Sequence, residues 1–198
     1  MIKSLRIVAV TVLLGFAAPV FSASAILAGG CFWCMEADFE KLRGVSNVVS
    51  GFTGGSHPDP TYSGAHTGHY EAVEITYDPD VIDYQGILDH FWVNHDPFDD
   101  GGQFCDRGHS YLAAIFVDGE DERKLAEMSK QKVAERFSDL EVVTPILDRS
   151  QFFPIKGDES YHQDFAKNNP IRYKYYRWGC GRDRQLKGIW GDQATVSK

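Results

Sequence analysis

The sequence predicts an α+β fold: a ferredoxin-like split βαβ core with a long C-terminal segment wrapped around it. Three observations lead there. Strand-like and helix-like apolar patterns follow one another in the order β-α-β-β-α-β between Ala25 and Val117. The chain has 198 residues, which suits one well-packed domain better than two. The segment "YLAAIFV", Tyr111 to Val117, is apolar on both faces, as a central strand is.

The elements follow in order. "AILAGG", from Ala25, is a short strand that runs into glycines. Cys31 to Arg43 reads as an amphipathic helix, because Phe32, Met35, Phe39 and Leu42 form one stripe, and Gly44 ends it. "VSNVVSGF" is a second strand, and residues 53–69 form a polar loop rich in Gly, Ser, Thr and His. "YEAVEITY" is the third strand. Asp83 caps a helix from Tyr84 to Trp92. The loop "NHDPFDDGGQFCDRGHS" precedes the central strand. "EDERKLAEMSKQKVAERF" is a surface helix and "EVVTPIL" a strand. The remainder is mixed, with one helix expected around Ser160 to Lys167. Loops this long in a compact domain are usually functional.

Bulk properties narrow the function. The formal charge of −8 argues against nucleic-acid binding, since phosphate contacts need a basic surface. Aromatics make up 13% of the chain, enough for a substantial core or a lined pocket. Lys3 and Arg6 precede an apolar run from Ile7 to Phe21, and Ala23-Ser24-Ala25 supplies an A-x-A pattern. Residues 1–23 are therefore expected to be a secretory signal peptide and residues 24–198 a single catalytic domain, periplasmic or secreted. The run falls short of the ~20 residues of a membrane span, so no stable span is expected after cleavage. Cleavage is expected between Ser22 and Ala25, at the early end, because a cut after Ala25 would trim the first strand.

Four cysteines in an exported chain can be two structural disulfides. Metal is not expected: a zinc site wants close ligand pairs, and Cys105 and Cys180 stand alone in the sequence. The pair in "CFWC" is suggestive of redox chemistry. Cys31 follows a strand and two glycines and opens a helix, where the positive helix end lowers a thiol pKa. That dipole supplies only ~0.3–1 kcal/mol, so full activation needs more. Cys34 lies one turn on, within reach of a disulfide or a shared proton. Trp33 points about 100° away from the buried stripe. It either walls an apolar pocket beside the nucleophile or packs under the C-terminal segment.

Glu71 shares a strand face with Val73, Ile75 and Tyr77. A carboxyl on a core face is poorly solvated, keeps its proton and can donate it; at the strand end it can instead reach water. His69, Tyr70, Tyr62, Asp106 and Tyr111 bring further donors from loops and strand ends.

These pieces together resemble the peptide methionine sulfoxide reductase A family. "GGCFWCMEADFEKLRGVSNVVSGFTGG" is similar to its central motif, and "PTYSGAHTGHYEAVEITYDP", "HDPF", "DRGHSYLAAIF" and "FFPIKGDESYHQDF" follow in family order. The resemblance covers nearly everything from Ile26 to Trp190. It implies reduction of methionine-S-sulfoxide, free or in proteins, to methionine. Cys31 is then the nucleophile and Glu71 the acid that bonds the sulfoxide oxygen. Tyr62 and Tyr111 are phenolic donors, Asp106 is a supporting carboxylate, and Phe32 and Trp33 form the S-methyl pocket. A second cysteine closes a disulfide, and a thioredoxin-type dithiol reduces it, with no bound cofactor. Cys180, between two glycines in a segment read as mobile, is expected to be the resolving thiol, with Cys34 second. Cys34 stands where many family members have Gly, and Ser110 and Leu112 stand where Gln and Arg are expected. A thioredoxin-like thiol–disulfide oxidoreductase and an exported binding domain stapled by disulfides are the competing readings.

Overall fold

The structure, a computed structural model, describes residues 22–194. The expected signal sequence therefore lies outside the described residues, apart from Ser22 and Ala23. Eight strands and six helices are described: β1 (Ala23–Gly29), α1 (Phe32–Phe39), β2 (Val45–Thr53), β3 (Tyr70–Tyr77), α2 (Tyr84–Trp92), β4 (Gly102–Gln103), β5 (Asp106–Arg107), β6 (Ala113–Val117), α3 (Gly119–Arg136), β7 (Ile146–Asp148), β8 (Phe153–Pro154), α4 (Phe165–Asn168), α5 (Pro170–Cys180) and α6 (Arg182–Trp190).

The main sheet has the order β7-β6-β1-β3-β2-β8. Its four central strands are the antiparallel split βαβ arrangement, with β1 between β6 and β3, and β2 outside β3. β7 adds a parallel edge to β6, and β8 closes the other edge against Gly51 and Phe52. One sheet face carries Leu27, Val73, Ile75 and Ile115 and packs on Phe32, Met35 and Phe39 of α1 and Ile87, Leu88 and Phe91 of α2. The opposite face holds a smaller cluster of Ile26, Ala28, Ala72, Ala114 and Phe116. Strict alternation along β1 and β3 produces the two faces.

Two glycines make the step from β1 into α1. Gly30 has φ +84°, and a Cβ there would stand 2.5 Å from Cβ of Gln103; one at Gly29 would meet Sδ of Met35 at 2.5 Å. Only glycine allows that close approach. The helix then ends at Phe39, four residues before Arg43. Tight turns close Leu42 onto Phe39 and Val45 onto Leu42, so Leu42 still packs on the core without a further helical turn. α2 begins where expected, with the Asp83 carboxylate accepting from Gly86 N at 2.8 Å.

The C-terminal region differs most from expectation. The segment around Cys180 is not a mobile loop: it is the end of α5, and α6 follows after a single left-handed residue, Gly181. Pro170 starts α5 and Gly181 stops it, the usual asymmetry of helix ends. Two buried arginines hold this pair to the core. Arg177, 2% exposed, donates to Asp38 of α1 at 2.8 Å and to the Tyr173 hydroxyl at 2.9 Å. Arg182 donates to the carbonyls of Gly29 at 3.2 Å and Asn94 at 2.5 Å, and stacks over Phe104. The expected strand "EVVTPIL" shrinks to Ile146–Asp148. The helix expected at Ser160–Lys167 is a 3₁₀ turn, Gly157–His162, followed by the one-turn α4.

Candidate active site

Cys31 is the N-cap of α1, outside the helix, with non-helical φ and ψ of −49° and 119°. It is 5% exposed, and Cys34 is buried beside it; both are free thiols. Burial and the neighbouring Cys34 push the Cys31 thiol well above its ordinary value. Cys34 accepts from Cys31, feels Arg182 and Arg177, and falls to about 7. The helix end does not lower the Cys31 thiol here, in keeping with the expectation that its dipole by itself is too weak. Burial outweighs the dipole, and at rest Cys31 holds a proton aimed at its partner.

Donors surround that sulfur. Glu71 is 3% exposed at the start of β3 and accepts from Phe32 N at 3.1 Å. Burial lifts its carboxyl to about 8, so one oxygen binds the amide while the other keeps its proton near neutrality. Tyr62 stacks on Phe32 and on His162, and its backbone N–H donates to Glu159 at 2.8 Å. Burial raises Tyr62 to about 12 and lifts Tyr111 as well; both phenols feel Glu71, Cys31 and Asp106. Asp106, on β5 next to a turn at Phe104–Cys105, is also lifted by burial and accepts from the Tyr176 hydroxyl at 2.6 Å.

Phe32 and Trp33 take different places. Phe32 is fully buried against Phe52 and Tyr62. Trp33 lies flat on Phe165 with ring centroids 3.8 Å apart, edge-on to Tyr176. Its Nε1–H donates to Nδ1 of His162 at 3.0 Å. Both readings of Trp33 meet here: it packs under the C-terminal segment, and that packing forms one side of the cysteine site.

His69 and Tyr70 do not join the site. The His69 ring ties the 53–69 loop together through Gly55 N and the His57 carbonyl. Tyr70 packs on the outer sheet face against Phe116 and His109. Cys180 is not a free thiol either: it forms a disulfide with Cys105, with 5.0 Å between Cα atoms. That pairing consumes the thiol expected to resolve Cys31, and leaves Cys34 as the thiol at its side. Tyr176, Phe165 and His162 were not singled out from the sequence. Tyr173, Tyr176, Arg177 and Cys180 fall at helical spacing in "YKYYRWGC", a signal that the two flanking glycines obscure.

A buried thiol pair, ringed by a protonated carboxyl and two phenols, suits attack on an electron-poor atom whose oxygen must be protonated. The family profile described as peptide methionine sulfoxide reductase matches residues 23–194. The chain belongs to the peptide methionine sulfoxide reductase family. Its activity is the reduction of methionine sulfoxide to methionine. It is 47% identical to peptide methionine sulfoxide reductase MsrA 2 of Caulobacter vibrioides over 90% of this chain and 92% of that one. Methionine sulfoxide reductase A of Corynebacterium diphtheriae matches in structure with TM-score 0.65 at 27% identity, over 78% of this chain and 77% of that one. Reduced Mxr1 of Saccharomyces cerevisiae shares the fold, with TM-score 0.68 and 24% identity over 78% of this chain and 89% of that one. Mxr1 is also solved in complex with Trx2, with TM-score 0.52 and 18% identity over 78% of this chain and 91% of that one. The Caulobacter match and the family profile exclude the two competing readings.

Proposed function

We propose that Cys31 is the nucleophile for methionine-S-sulfoxide and that Cys34 resolves the intermediate. The sulfoxide oxygen takes a proton from Glu71, with Tyr62 and Tyr111 donating to it. The Cys31 sulfur displaces methionine and takes the OH as a sulfenic acid, and the Cys31 proton returns to Glu71. Cys34 then attacks that sulfur, a Cys31–Cys34 disulfide forms and water leaves. An external dithiol of the thioredoxin type reduces the disulfide; the yeast complex supports that partner class.

The observation that carries this reading is the free, adjacent Cys31–Cys34 pair, with Glu71 anchored to the amide between them. A disulfide three residues apart would strain a helix, but Cys31 is the non-helical N-cap, so only Cys34 lies in regular geometry. Residues 1–23 act as an export signal, approximately bounded, with Ser24 kept in the mature chain, where its carbonyl and hydroxyl accept from Arg149. Oxidised proteins and free methionine sulfoxide are both substrates, and Phe32 with Trp33 receives the methyl group.

One turnover without reductant tests the reading. Peptide mapping should find Cys31 joined to Cys34, with Cys105–Cys180 intact. Cys34→Ser should release one methionine per enzyme, accumulate sulfenic acid at Cys31 and stall with a thioredoxin donor. Cys31→Ser should release none. A Cys31–Cys180 bond after one turnover would return the resolving role to Cys180.

A further inference from the structure

Two crosslinks join the same two elements side by side. Cys105 and Asp106 are adjacent at the β4–β5 hairpin, and Tyr176 and Cys180 are one turn apart on α5. The Tyr176 hydroxyl donates to Oδ2 of Asp106 at 2.6 Å, and Sγ of Cys180 lies 3.9 Å from the same oxygen. The Cys105 N–H donates to Sγ of Cys180 at 3.1 Å. The covalent bond and the hydrogen bond thus hold the hairpin to the helix at one point. Tyr176 also packs against the cluster of Cys31, Cys34, Phe165 and Tyr173, edge-on to Trp33.

We propose that Tyr176 is a positioning residue for the Cys31 thiol, and that the Cys105–Cys180 disulfide is a clamp that keeps it there. Opening the clamp then slows the first chemical step while leaving nucleophile and acid in place. The proposal rests on Cys31 being the nucleophile. A phenol has one proton and two lone pairs. With Cys31 protonated, the Tyr176 proton lies on Asp106; when the thiolate forms, the same proton turns to sulfur. A hydrogen bond from Tyr176 favours the Cys31 thiolate. The titratable groups facing Cys31 are Cys34, Glu71, Tyr62, Tyr111, Asp106 and Tyr176, while Arg177 and Arg182 are felt through Cys34. Among them Tyr176 is the donor whose place depends on a redox bond. A dithiol opens the clamp by thiol–disulfide exchange: it becomes a disulfide, and Cys105 and Cys180 each gain a hydrogen. The enzyme would thus be fastest where the compartment keeps Cys105–Cys180 oxidised.

The test measures single-turnover reduction of a methionine sulfoxide peptide against pH. It compares wild type with the clamp closed, wild type fully reduced, Tyr176→Phe and Cys105→Ser/Cys180→Ser. The falling limb of the rate reports Glu71, and the pH dependence of Cys31 alkylation by iodoacetamide, located by peptide mapping in the same proteins, reports Cys31 ionisation. Tyr176→Phe keeps the ring on Trp33, so it should fold. Its Cys31 alkylation limb should move to higher pH with the falling limb of the rate unmoved, and its rate at pH 7 should drop about tenfold, the effect of one pKa unit. Reduced wild type should move the same way by less, and adding Tyr176→Phe to the double serine variant should give little further loss. If the serine variant does not fold, the two redox forms of wild type decide alone. A Cys31 alkylation limb unchanged in Tyr176→Phe overturns the positioning role, even if melting falls. A limb unchanged on reduction overturns the clamp. Activity retained in Cys31→Ser would instead overturn the underlying reading.

Discussion

At the residue scale, Glu71 shows how burial holds a proton on a carboxyl. Its neighbours on the strand face, Val73, Ile75 and Tyr77, are in the core, so its carboxyl has little water to ionise into. The one strong donor it finds, Phe32 N–H, does not offset that loss, and the carboxyl stays up at about 8. The proposed reaction uses its acid form. Activity should therefore hold through neutral pH and fall as pH rises through about 8. Glu71→Gln should lower the single-turnover rate on the order of 10²–10⁴-fold, the usual worth of a positioned proton donor, and remove that falling limb. A pH–rate profile of both proteins checks this, and an unchanged rate would place the proton source elsewhere. The face of Glu71 was readable from alternation along "YEAVEITY". The state of Cys31 was not, because the dipole that favours its thiolate was visible in sequence order and the burial that opposes it was not.

At the element scale, α5 and α6 decide how the site is walled. They are amphipathic around charged residues: the inward positions of α5 include Tyr173 and Arg177, and Arg182 starts α6 buried. A buried arginine is held by what it satisfies. Arg177→Ala would leave Asp38 in the interior without its partner, a loss of ~3–5 kcal/mol for a broken buried pair. Melting should fall by roughly 10 °C in a domain of this size. α5 should loosen first, which hydrogen exchange would show as lost protection over Tyr173–Cys180. Equal protection in both proteins would mean that apolar packing alone holds α5. Sequence periodicity missed these helices because it was sought in apolar residues, and here the inward stripe is aromatic and cationic.

At the scale of the whole molecule, opposing titrations shape stability. His95 is fully buried between the Phe91 carbonyl and Thr144, and burial lowers it to about 3. A depressed base binds fewer protons folded than unfolded, so its contribution is complete above its ordinary value of 6.5 and is lost as pH falls toward 3. Glu71 and Glu36 run the other way. Lifted to about 8 and about 7, they bind more protons folded than unfolded, so their contribution shrinks as pH rises from 4.5. Cys34, lowered to about 7 from an ordinary 9.0, works against the glutamates between pH 7 and 9, and Cys31 acts only above 9.0. Melting temperature should therefore decline from pH 6.5 to 7, and Glu71→Gln should flatten the decline; an equal slope in the variant would contradict the assignment. The Cys105–Cys180 bond spans 75 residues. By loop-closure entropy it stabilises the fold by about 4 kcal/mol, so reduction should lower the melting temperature at every pH.

What the sequence determined by itself is the part written in short-range pattern. Alternation and helical stripes specified the split βαβ core, because a strand or helix face is set by residues two to four apart. The expected roles of Cys31, Glu71, Tyr62 and Tyr111 came from resemblance to a family's motifs, whose residue types and order can be read along the chain without knowing how they meet. The tertiary structure decided the partners. Cys180 meets Cys105 and not Cys31, Tyr176 reaches Asp106, and Trp33 lies on Phe165. Each of these contacts joins residues 70 or more positions apart, and two of them are made by α5, which Arg177 ties to the core through Asp38. Pairing over such distances depends on how whole elements pack, and no local pattern records it.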